Sequence, residues 1–182
     1  MILTLSKRKL SLKTQIAVVA CAVVSAVALP LALHAIGAAS GLGTALGEFL
    51  LPMHFPIILA GFLAGPYAAG IAGLLSPLIS FGLTGMPALV MLPFMMIELM
   101  VYGFCAGALR NKNIPDIAKV LITQIIGRTV RAAAILIGFY GLGTAVAPAV
   151  ILTSIKIGFV GIIIQLLVIP FIVRSAKRAD NE

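Results

Sequence analysis

Charge is scarce in this sequence. Only 10% of its 182 residues are Asp, Glu, Lys or Arg, and just 5 are acidic, whereas 62% are hydrophobic. A soluble domain is roughly a quarter charged and about half apolar. A soluble chain of this length cannot bury so much apolar surface, so lipid must cover the excess. The 2 cysteines, Cys21 and Cys105, both sit inside apolar runs. That excludes a disulfide framework or a zinc site and leaves them as small core hydrophobes. A phosphate-cradling glycine loop, a Ser/His/Asp set and paired carboxylates are all missing, so the chain carries no ATP-using engine of its own. One membrane domain over residues 1–182 is expected at this length.

What charge there is falls in telling places. Of 13 basic residues, Lys7, Arg8, Lys9 and Lys13 precede the first apolar run. Arg110, Lys112 and Lys119 mark one internal junction, and Arg174, Lys177 and Arg178 follow the last run. This is the pattern that the positive-inside rule requires of cytoplasmic ends and loops. No basic patch is interleaved with aromatics, so the high pI does not point to nucleic acid. The stretch Ile16 to Leu33 exceeds a usual signal-peptide core and reads as a retained helix, although Ala26-Val27-Ala28 resembles a cleavage site.

The apolar runs predict an all-α integral membrane fold, a six-helix bundle over 14–173 with a basic tail at each end (1–13 and 174–182). The first span covers Thr14 to Ile36, and Gly37 to Leu51 is a connector carrying Glu48. Two short stretches follow, Pro52 to Gly65 and Tyr67 to Phe81, as two short helices or one re-entrant pair. Each is about 22 Å long as helix, against a hydrocarbon core of ~30 Å. Ala88 to Leu109 is the fourth span. Ile114-Pro115-Asp116 starts the fifth, which reaches about Tyr140. Pro148 to Val173 is the sixth. Basic clusters at both ends place both termini in the cytoplasm and demand an even number of crossings. The connectors at 37–51, 82–87 and 141–147 contain no Lys or Arg. Six helices satisfy all of this; four would require 52–81 not to cross.

Four charges lie within spans: Glu98 in the fourth, Arg128 and Arg131 in the fifth, and Lys156 in the sixth. Charged groups at membrane depth are expensive and mark pathways or sites. At a rise of about 1.5 Å per residue, all four fall between the midplane and the outer surface. Gln124, Arg128 and Arg131, spaced i, i+4, i+7, share one helix face. Met91, Met95, Glu98, Tyr102 and Cys105 form a similar stripe. Lys156 and Gln165 point to opposite sides of a straight helix. One Glu against two Arg and one Lys leaves a net +2, which an anionic or acceptor-rich ligand would settle. The bland alternative is a Glu98–Arg lock with Lys156 snorkelling outward. His34, Glu48 and His54 lie near the outer surface. Interfacial positions suit them better than a metal site, and Met53-His54 suits the lip of a pocket. No cofactor is expected.

Met53-His54-Phe55-Pro56-Ile57-Ile58-Leu59-Ala60-Gly61-Phe62-Leu63-Ala64-Gly65-Pro66, then Gly70, Gly73, Ser76-Pro77 and Thr84-Gly85-Met86-Pro87, resemble the second and third helices of substrate-binding S-components of energy-coupling-factor (ECF) vitamin transporters. Size, six-helix layout and basic ends agree along nearly the whole chain. The resemblance implies a small bundle in a bacterial plasma membrane that captures a vitamin or precursor from outside. Transport then requires a separate coupling membrane subunit and a pair of ATPases. The family's first-helix Ala-x-x-x-Ala, which contacts the coupling subunit, is matched best by Ala22 and Ala26; Ala28 and Ala32, with Pro30 between them, match it second. The same spacing suits close packing within the bundle. Ligand binds in that family between the outer loops and helices four to six, sealed by the loop between helices one and two. The implied site is Glu98, Arg128, Arg131 and Lys156, with Tyr102, Gln124 and His54 around it. Pantothenate, whose carboxylate suits a cationic interior, or a B6/pyrimidine-type compound is the favoured substrate; vitamin B6 compounds, hydroxymethylpyrimidine, folate and cobalamin all have members in the group.

Two other classes compete. A membrane enzyme acting on lipid needs clustered Asp or His at the membrane surface, which the sequence does not supply. A stand-alone secondary transporter or small channel calls for repeats or broken helices at matching positions. Here Gly/Pro interruptions concentrate in residues 52–87.

Overall fold

The computed structural model describes residues 11–43 and 45–179, all of whose regular structure is helical. Lys7, Arg8, Lys9, Asp180, Glu182 and the side chain of Lys177 lie outside what is described. Eight helices follow in order: α1 (Leu12–Ala39), α2 (Ala45–Leu50), α3 (His54–Ala64), α4 (Pro66–Thr84), α5 (Leu92–Leu109), α6 (Asp116–Leu142), α7 (Ala149–Ile157) and α8 (Phe159–Ala179). Six segments are long and apolar enough to cross a membrane, α2 and α3 together forming one of 20 residues. The six-helix membrane bundle is therefore the fold. Six crossings would bring the two ends of the described chain out on one face.

Local chemistry explains the boundaries. The Ser11 hydroxyl accepts from the Thr14 backbone N–H and opens α1. Pro66 stands in the first turn of α4, and Gly85 closes that helix in the left-handed conformation. Pro115 and Asp116 open α6 as expected, and left-handed Gly143 ends it.

Four expectations need correction. The connector 37–51 is not all loop, because Ala45–Leu50 is helical and seats against α8. Its seat is made of glycine: a Cβ on Gly161 would run into the Leu50 and Phe49 backbone. With this turn added, the second span reaches full crossing length, and so does Pro66–Thr84 at 19 residues. The fourth helix begins at Leu92, not Ala88, since residues 88–91 form turns ahead of Pro93. The sixth span is not one straight rod; it breaks at Gly158 between α7 and α8.

The core gathers around α3, α4 and α5. Leu99, Tyr102, Ala69, Ile57 and Ile58 are fully buried there, and Ala22 and Ala26 of α1 pack onto them. Small residues set the spacing. A Cβ on Gly73 would overlap the Leu99 backbone, and one on Gly103 would overlap Ala69. Backbones this close are how helices associate where lipid removes the hydrophobic drive. By contrast, α7 has no buried residue.

Candidate functional site

A buried polar cluster forms where α3, α5 and α6 meet. Glu98 is its centre and is completely inaccessible. Tyr102, one turn along the same face of α5, donates its hydroxyl to Glu98 Oε1 at 3.0 Å. Arg131 NH1 donates to Oε2 at 3.1 Å, and Arg128 Nε stands 3.7 Å from Oε1. From the start of α3, His54 brings Nε2 to 3.6 Å from Oε2, with its ring 5.3 Å from that of Tyr102. Gly127 makes this possible: a Cβ there would strike the Tyr102 ring.

The two arginines are not equivalent. Arg131 makes a hydrogen-bonded pair with Glu98. Arg128 has only 10% of its side chain exposed, and none of its three nitrogens has a hydrogen-bond partner. A buried polar group left unsatisfied costs about 1–3 kcal/mol, more when charged. Arg131 Nε, both ring nitrogens of His54 and Gln124 Oε1 are also without partners. With Glu98 counted as −1, each arginine as +1 and His54 as neutral imidazole, the cluster holds a net +1 in low dielectric.

Beside the arginines lies a narrow cleft of about 10 Å³, room for roughly one water molecule, walled by Arg128, Arg131, Ala132 and Ile135 of α6 and by Ile151, Ser154 and Ile155 of α7. It occupies the second half of α6, away from the chain ends. Fixed guanidinium donors in a mostly apolar recess can hold an anion or an acceptor-rich group, and this is the chemistry the site offers.

The predicted residues divide. Glu98, Tyr102, Arg128, Arg131 and His54 come together, His54 deeper than a pocket lip, at 3% exposure. Gln124 is buried one turn before Arg128, where its Nε2 donates to Gln165 Oε1. Lys156 does not join them. Ile151, Ser154 and Ile155 present one face of α7 to the cleft, and Lys156, roughly 150° around the helix from that face, is exposed. The excess is therefore +1, not +2. Among the described residues, no group of three His, Cys, Asp or Glu side chains forms, and His34 instead packs its ring on Gly47. The alanine pairs split as well. Ala22 and Ala26 are buried against α3 and α4, so their small size serves the bundle, whereas Ala28 and Ala32 are exposed.

Sequence reasoning missed Ser154 and the role of Gln165. Gln165 receives Gln124 and donates Nε2 to the Leu51 carbonyl at 3.2 Å, which ties α6, α8 and the α2–α3 junction. A glutamine in an apolar span was a signal for it. No protein-family model, curated protein or solved structure matches this chain.

Proposed function

We propose that the chain is the substrate-capturing membrane subunit of an ECF-type importer. It takes a water-soluble vitamin or vitamin precursor from outside a bacterial plasma membrane and delivers it inward with a separate coupling subunit and two ATPase subunits. One observation carries the reading: Arg128 is desolvated, has no hydrogen bond and faces a cleft. A purely structural arginine would be expected to have its donors satisfied.

At about 10 Å³ the cleft is closed to anything larger than a water, far below the roughly 300–1,000 Å³ of most ligand sites. Capture therefore involves widening, and α7 is the wall suited to it: it buries no residue and joins α8 through Gly158. In the orientation expected from the basic ends, the cleft lies in the outer half of the bundle. Exposed Ala28 and Ala32 on α1 offer the coupling subunit a small-residue surface.

The test is to purify the protein from cells fed a vitamin mixture and to identify what it retains by mass spectrometry. Uptake of that compound is then followed with and without the ATPase subunits. A retained vitamin whose uptake stops without the ATPases supports the reading. Retention of lipid alone, or uptake indifferent to the ATPases, would overturn it in favour of a lipid-handling or stand-alone protein.

A further inference from the structure

We infer that the ligand carries a single negative charge, a carboxylate taken by Arg128, while Arg131 serves as the standing counter-ion of Glu98. This rests on the capture reading above and narrows it to a substrate class.

Charge and free donors both single out Arg128. Arg131 already gives NH1 to Glu98 at 3.1 Å, and Glu98 receives Tyr102 on its other oxygen. Arg128 meets the same carboxylate only at 3.7 Å, with no hydrogen bond. Its planar fork of N–H groups matches a carboxylate in two-point geometry. Among the described residues lining the cleft, only Arg128 and Arg131 are charged, and Lys156 is turned away. One negative charge brings the cluster to neutrality. A phosphate monoester, at about −1.5 to −2 near pH 7, would exceed that and leave buried negative charge behind.

The remaining walls are apolar apart from the Ser154 hydroxyl. Once α7 moves aside, walls of this chemistry suit an aliphatic body more than a polar one. Of the vitamins in view, pantothenate has one carboxylate, folate has two, and the unphosphorylated B6 compounds have none.

Matched pairs test this on the purified full chain in nanodiscs, by equilibrium dialysis. The probes are pantothenate against panthenol, nicotinate against nicotinamide, and pyridoxal 5′-phosphate against pyridoxal. We expect a monocarboxylate to bind best and its uncharged partner to bind about 30-fold more weakly, the usual worth of a charge-assisted hydrogen bond. Arg128→Gln should collapse that ratio toward one, and Arg128→Lys, which keeps the charge, should retain most of it. Should Arg128→Gln fail to fold, the wild-type ratio and the Lys variant still decide. Preferred binding of a neutral or phosphorylated probe overturns this inference and leaves the capture reading standing. So does an unchanged acid-to-neutral ratio in Arg128→Gln, which would make Arg128 a lock on Glu98 and no more. A protein that holds none of the probes or other water-soluble vitamins takes down both.

Discussion

Glu98 is the one acidic group among the clustered charges, and its surroundings rank the effects of substitution. Glu98→Gln leaves Arg128 and Arg131 buried without a countercharge, and removing one partner from a buried ion pair costs about 3–5 kcal/mol. Tyr102→Phe deletes one hydroxyl donor of 3.0 Å and should cost about 1 kcal/mol. Unfolding of the reconstituted variants measures both; equal losses would mean that Glu98 is protonated and the cluster is not ionic. The charged members of the site were legible in the sequence because charge in an apolar span has few other uses. Spacing also put Glu98 with Tyr102, and Gln124 with Arg128 and Arg131, on single helix faces. It could not decide Lys156, because one helical step carries a side chain from the cleft face to the lipid face, and that depends on where α7 sits. Nor did sequence show how deep His54 lies: its 3% exposure comes from packing between α3 and α5.

Among the helices, α7 is the wall through which the proposed ligand would enter. It supplies Ile151, Ser154 and Ile155 to the cleft yet buries nothing of its own, whereas the facing α6 is anchored by Arg131 and Gln124. A bulky residue at Ser154 fills the recess from the weakly held side, where the wall can yield. Ser154→Phe should therefore lower affinity for the retained vitamin by at least about tenfold, with a stability loss of no more than about 1–3 kcal/mol. Titration calorimetry and thermal unfolding together test it; unimpaired binding would put the ligand elsewhere. The α7–α8 break shows why part of the fold escaped the sequence. Gly158 and Gly161 both carry hydrophobic runs through without a polar interruption, so the run read as one helix. At the break, Gly158 sits against the Leu51 side chain and Gly161 against the Leu50 backbone at the end of α2, contacts that only the tertiary structure reveals. The spans themselves were readable because about 20 apolar residues are needed to cross a bilayer, and few soluble structures use such runs.

Taken whole, the bundle is asymmetric from end to end. Near the chain ends, Lys119 Nζ donates to Asp116 at 3.1 Å and to the Arg110 carbonyl at 3.2 Å. Arg174 of α8 stands 3.7 Å from Asp116. These contacts join the ends of α5, α6 and α8, so this end is tied shut by polar links. The opposite end holds the cleft, the break at Gly158 and the turns at 88–91 and 143–148. A closed end and a yielding end are what one-sided capture needs, and the direction then rests on which end faces the cytoplasm. The basic residues at 110–119 and 174–178 argue that the tied end does. Single cysteines decide it, after Cys21 and Cys105, both free thiols, are replaced by alanine. Asn111 and Ala145 are exposed on connectors at opposite ends. In intact cells, a membrane-impermeant maleimide should label Ala145→Cys within minutes and Asn111→Cys only after permeabilisation. The reverse pattern would turn the cleft toward the cytoplasm, and the site could then no longer capture from outside, whatever Arg128 binds.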